Sequence, residues 1–273
     1  MALDQELEDE LKRLRVDVKD LVKSLRSEFS LVVYGETHVG LETKSDFFAR
    51  LIRDHGDRFY ASEHFDNDVS IGAIVEDFLK GKKTKSALPS DLRPMATVLE
   101  AIKDKLPNAG LVFAGSKDKS RSGRDKKLFE NFKLSRGLHL KAKRFTDKDP
   151  GHFHIGSAHG ARLPFGGSTP TTTQLLIKDG LNPGSVRIVT KVVGDTSDVT
   201  GGGTSFTAGE SMIVQPVAGG DMMDLAAIVV RASGGNPFGA DIRGSSVFAK
   251  VRPDESTRLD GYNKFFDAIL FVN

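Results

Sequence analysis

The sequence predicts an α/β fold, a mostly parallel central sheet flanked by helices. Three observations carry it. Short β-rich apolar runs at residues 30–34, 58–62, 110–114 and 151–156 alternate with longer stretches of helical periodicity. The runs are bounded by glycine and polar loop residues, as buried parallel strands are. The polar residues of chemical interest, Glu36, His38, Glu63 and His159, all follow such runs, where the carboxyl ends of parallel strands gather functional groups.

Taken in order, Leu7, Leu11, Leu14, Val18, Leu21 and Leu25 recur at four- and three-residue steps and predict one amphipathic helix over residues 4–27. It covers the sheet, with dimerisation through it as the alternative. Helices are expected at 44–55, with Phe47, Phe48, Leu51 and Ile52 on one face, then at 71–80, 95–105 and 126–140. Beyond Pro164 the chain turns rich in Gly, Ser and Thr, most of all over 194–220, and reads as loops and short strands ending in a core strand at 265–272. The whole forms one domain: an N-terminal helix (1–27), a motif-bearing core (28–165) and a Gly/Thr-rich remainder that completes the fold (166–273).

Composition narrows the chemistry. The 273 residues contain no cysteine, which excludes disulfides, a thiolate nucleophile and Cys-ligated metal; any metal must use His, Asp or Glu. A net charge of +2 implies no global pull toward nucleic acid. The N-terminal segment lacks the basic-then-apolar run of a secretory signal and no stretch is long and apolar enough to span a bilayer, so a cytoplasmic protein without a membrane role is expected.

Two loops, Gly35-Glu36-Thr37-His38 and Gly156-Ser157-Ala158-His159, each put glycine at a strand end and histidine three residues later. Glycine is expected to permit a tight turn there, and the histidine to project over the sheet edge as base, acid or ligand. Glu36 and Glu63 follow strands that are candidates for neighbours, so their carboxylates are expected to converge with His38. His154 is placed as a cleft-lining or packing residue below the two loop histidines, His64 competes with Glu63 for one loop position, and His55 and His139 read as helix-end residues. The stretch 116–127 is strongly basic; Lys117 and Arg121 there suit an anionic substrate, and a solvated lid is the simpler account. Thr171 to Gln174 and the stretch 200–205 are candidates for pocket hydroxyls.

Val33-Tyr34-Gly35-Glu36-Thr37-His38, Ser62-Glu63, Arg124-Asp125 with Asn131, and Ile155-Gly156-Ser157-Ala158-His159 occur in that order over the first two-thirds of the chain. Together they resemble the erythromycin esterase-like, ChaN-like and Tiki/TraB superfamily. That resemblance implies an α/β fold with a cleft lined by both histidine loops, His38 as general base or ligand, Glu36 as its partner, Glu63 as a second acid, His159 opposite, and Arg124 stabilising negative charge. It implies a hydrolase acting on an ester, lactone or amide. The alternatives are a peptidase or hydrolase carrying one divalent metal and, ranked below, a haem- or ligand-binding protein without turnover. A small-molecule or peptide substrate is the expected partner. The Gly- and Thr-rich latter half departs from the pattern, because the helical cap that shapes the pocket of esterase-like members does not align there.

Overall fold

The computed structural model describes residues 2–36, 40–55, 57–66, 69–115, 121–166, 169–190, 212–254 and 256–273. An eight-stranded sheet is the frame. In chain order its strands are β1 (Arg15–Val16), β2 (Leu31–Glu36), β3 (Phe59–Asp66), β4 (Gly110–Gly115), β5 (Gly151–Gly156), β6 (Pro183–Thr190), β9 (Phe238–Asp241) and β11 (Ala268–Val272). Across the sheet the order is β1-β9-β11-β6-β2-β5-β3-β4. The run from β11 to β4 is parallel, and β9 and β1 extend it antiparallel. A small antiparallel sheet of β7 (Ile213–Pro216), β8 (Met223–Asp224) and β10 (Val251–Pro253) lies beside it.

Strand alternation sorts the side chains onto two faces. Val32 and Tyr34 of β2 join a core with α2 (Val18–Glu28), α3 (Leu41–His55), α4 (Val69–Leu79) and α5 (Ala96–Lys105). Leu31 and Val33 face the other way, toward Phe132 of α6 (Arg121–Lys141) and Leu176 of α8 (Thr172–Lys178). On that second face, beneath β9 and β11, a further core holds α1 (Leu3–Leu14) and α9 (Leu225–Ser233). Among the described residues no helix is long and apolar enough to cross a membrane.

The N-terminal leucine pattern is two helices, not one. Arg15 and Val16 leave α1 to pair with Ala240 and Gly239 of β9, and Asp17 then caps α2 by accepting from the Lys19 N–H at 2.7 Å. Leu7 and Leu11 pack in the core of one face, Leu21, Val22 and Leu25 in that of the other. The break is where the chain rounds the sheet edge, and the leucine seam is spent inside the chain instead of facing a partner. The latter half also differs from the expected loops: β6 is eight residues long, buried throughout, and sits between β2 and β11. The stretch 191–211, most of the Gly-rich segment, lies outside the described residues.

Gly35 does not make a turn. It lies within β2, without the positive φ that a glycine turn uses, and its work is close approach. The four-residue helix α7 (Ser157–Gly160) lies so near that a Cβ on Gly35 would stand 3.0 Å from Ser157 Cα, and one on Gly160 3.0 Å from Gly35 Cα. Gly35 and Gly160 are therefore both needed as glycine so that helix and strand can touch.

Gly35→Ala is expected to cost about 1–3 kcal/mol through overpacking of that contact. Gly137→Ala, in the interior of α6 with nothing within 4 Å of the new Cβ, is expected to stabilise by roughly 0.5–1 kcal/mol. Urea unfolding midpoints of the two variants check both, and equal effects would refute the close-approach account.

Candidate functional site

Strand order decides which groups meet. The chain makes β2, leaves an empty slot, makes β3 and β4, and returns with β5 to fill the slot between β2 and β3. Gly156, at the end of β5, thus stands opposite Glu36 in the β2 register, and its N–H donates to Glu63 Oε1 at 2.5 Å. The two carboxylates serve opposite faces of the sheet, with the backbone of Gly156 between them, and the His38 they were expected to meet lies outside the described residues.

On the α3 face, Glu36 is buried and almost saturated. Lys44 Nζ donates to Oε2 at 2.6 Å and His64 Nε2 to Oε1 at 2.7 Å. His154 Nε2 stands 2.8 Å from Oε2, out of line for a hydrogen bond, so that contact is mainly electrostatic. His154 is fully buried, which pushes its pKa down against the pull of Glu36 and keeps the ring neutral. With the proton on the nitrogen facing the carboxylate, Nδ1 accepts from the Tyr60 hydroxyl at 2.7 Å. Burial in turn holds the Tyr60 phenol well above its ordinary range. Phe48 packs on the His154 ring at 4.7 Å between centroids and completes a dry floor.

On the α6 face, Glu63 accepts from Arg124 Nη2 at 2.9 Å as well as from Gly156. Beside Arg124, Asp125 Oδ1 lies 3.0 Å from His159 Nδ1. The same oxygen accepts from the Thr172 N–H at 2.6 Å and from the Thr172 hydroxyl at 2.7 Å. A carboxylate pinned by α8 thus stands beside one ring nitrogen of a part-exposed histidine, out of line for a hydrogen bond, so that contact too is mainly electrostatic.

Of the residues singled out in the sequence, Glu36, Glu63, Arg124, His154 and His159 gather at this edge. His38 and Lys117 lie outside the described residues, as does the side chain of Arg121. His154 is sealed from solvent among Glu36, Tyr60, His64 and Phe48, so it packs inside the protein instead of lining a cleft. Glu63 and His64 do not compete for a place: successive strand residues face opposite sides, so each serves one cluster. The hydroxyls of Thr171, Thr172 and Thr173 are spent on Ala161 O, Asp125 and Gly160 O, holding α7 and α8 together instead of lining a pocket. His152 belongs elsewhere, at the opposite end of the strands, where it donates to the buried Asp57 at 2.6 Å. His139 lies inside α6, its Nε2 2.7 Å from Leu111 O.

Sequence reasoning missed Lys44, Tyr60 and the supporting role of Asp125. Lys44 had a signal: it lies on the same helical face as Phe47, Phe48 and Leu51, where a solvated lysine does not belong. Among the described residues, the acid and histidine atoms close enough to share a metal are those of Glu36, His64 and His154, all within 4.8 Å of one another. Glu63 and His159 are not in that group.

His139 and His154 both have pKa values lowered by burial. Below their ordinary value of 6.5 the unfolded chain binds more protons than the folded one, so stability falls as pH drops through that value. Each histidine contributes at most about 1.4 kcal/mol per pH unit. Denaturation midpoints between pH 7.5 and 5.5 should decline, and less steeply in His139→Gln or His154→Gln; an unchanged slope in both variants would rule these histidines out.

No family model matches the sequence, and no curated protein matches it. The fold is similar to that of two crystal structures over nearly the full length of each. One is a protein from Bacillus cereus, at TM-score 0.56 and 11% identity, covering 98% of this chain and 97% of that one. The other is a succinoglycan biosynthesis protein, at TM-score 0.60 and 10% identity, covering 100% of this chain and 97% of that one. At such identities the likeness is one of fold, an α/β fold built on a large, mostly parallel sheet.

Proposed function

We propose that this chain is a hydrolase of ester, lactone or amide bonds that works by histidine acid–base chemistry at the edge formed by β2, β3 and β5. The observation that carries the reading is the pair of buried carboxylate clusters on either side of Gly156, one presenting His64 and the other His159. Carboxylates held this way lock histidine rings in place without needing solvent, and orientation of that kind is what proton transfer in a transition state requires.

His38 follows the anchored Glu36 by two residues and takes a proton from water, the role the resemblance implies. The hydroxide oxygen then adds to the carbonyl carbon. Arg124, at 23% side-chain exposure, faces the developing oxyanion with the guanidinium donors that Glu63 leaves over. His159, whose Nδ1 stands 3.0 Å from the Asp125 carboxylate, gives its proton to the departing oxygen or nitrogen as the acyl bond breaks. Glu36 is the anchor of its cluster, not the base, because both its oxygens already accept.

The test is hydrolysis of p-nitrophenyl acetate, p-nitrophenyl butyrate and a macrocyclic lactone by wild type, His38→Ala, His159→Ala and Asp125→Asn. Removing a general acid or base should slow turnover by about 100-fold or more, with far-ultraviolet circular dichroism unchanged. Wild-type rates no faster than those of the variants on every substrate would sink the hydrolase reading.

A further inference from the structure

The Glu36, His64 and His154 group has the ligand types and the closeness of a divalent metal site. Lys44 argues otherwise. Its side chain is wholly buried, and so is that of Glu36; the ammonium sits 2.6 Å from Glu36 Oε2, the oxygen that His154 Nε2 also approaches at 2.8 Å.

Among the described residues, the Glu36 carboxylate is already matched by the Lys44 ammonium. Burying an ion in a dry site is costly unless it is matched, and a matched pair made unmatched costs more. A divalent metal added here would bring two further positive charges to a buried carboxylate that the ammonium already matches. It would also have to share Oε2 with the ammonium and prise apart contacts of 2.6–2.8 Å, shorter than the spacing between two ligands of one metal, which at bond lengths near 2.0–2.1 Å is about 3 Å or more.

We infer that Lys44 is the resident cation of this site, a positioning residue whose ammonium stands where a metal would otherwise bind and holds Glu36 aimed at His64 and His154. In the wild-type chain the group is therefore closed to divalent metal, and removing the ammonium opens it. The inference deepens the proposed hydrolase reading by making Glu36 a lysine-held anchor. Its test needs no substrate, so it stands or falls separately from that reading.

The probe is Co2+ alone, titrated at neutral pH and followed by visible absorption and by equilibrium dialysis. Wild type should show no Co2+ that depends on His154, judged against His154→Gln. Lys44→Met should gain one equivalent with the visible bands of a low-coordinate site, and His64→Ala or Glu36→Gln in the Lys44→Met background should remove it. Lys44→Arg, which keeps the cation, should not gain it. One equivalent bound by wild type and lost in His154→Gln would overturn the inference, as would a folded Lys44→Met that binds none.

Should Lys44→Met fail to fold, the double variant Lys44→Met/Glu36→Gln decides. If the lysine exists to match the glutamate, removing both charges should restore a soluble, folded protein with a cooperative thermal transition that the single variant lacks. No recovery would show that Lys44 serves only packing, and the inference fails.

Discussion

The rest of the site depends on one buried carboxylate. Glu36 lies at the end of a strand whose six residues are all buried, where an unmatched charge is not tolerated. Its satisfaction draws in Lys44 from α3, His64 from β3 and His154 from β5. Lys44 follows eight residues on, while His64 and His154 come from distant strands, so their meeting ties α3, β3 and β5 to the end of β2. Tyr60 and Phe48 then close the floor beneath. A polar network of this kind specifies one arrangement because each member is satisfied only when the others are in place.

The second cluster is built by the same logic on the other face. Glu63 ties β3 to β5 through the Gly156 amide and to α6 through Arg124, while Asp125 ties α6 to α8 and to the histidine of α7. Strand alternation separates the two clusters, and the return of β5 between β2 and β3 brings them to a common edge. This is the physical content of two similar histidine loops in one chain: each follows a strand of the same sheet, and those strands are neighbours.

Periodicity made the first two-thirds of the fold legible. The strands at β2, β4 and β5 and the helices α3 to α6 stand close to where the apolar spacing puts them, because long buried runs and one-sided helices leave strong local patterns. What escaped was set by distant partners. The leucine spacing runs unbroken across Arg15 and Val16, whose strand conformation comes from β9, more than two hundred residues later. β6 carries Gly184, Ser185 and Arg187 in its interior and reads as a loop until the sheet buries it. In the site, Glu36, Glu63 and His159 were visible as polar residues after apolar runs, although β3 continues past Glu63 to Asp66; Lys44 showed only as a lysine on an apolar helix face, and Asp125 acquires meaning only from the imidazole it meets in space.

The place of β11 has a consequence for how the molecule is made. This strand, residues Ala268–Val272, is interior to the sheet, paired with β6 on one side and β9 on the other. As the chain emerges from the ribosome, the half-sheet from β6 to β4 can assemble as its segments appear, but β6 keeps an open edge throughout. The first strand, β1, has nothing to pair with until β9 follows. Only when residue 272 is out can one strand join both halves, so the nascent protein must protect a long apolar edge until β11 has emerged.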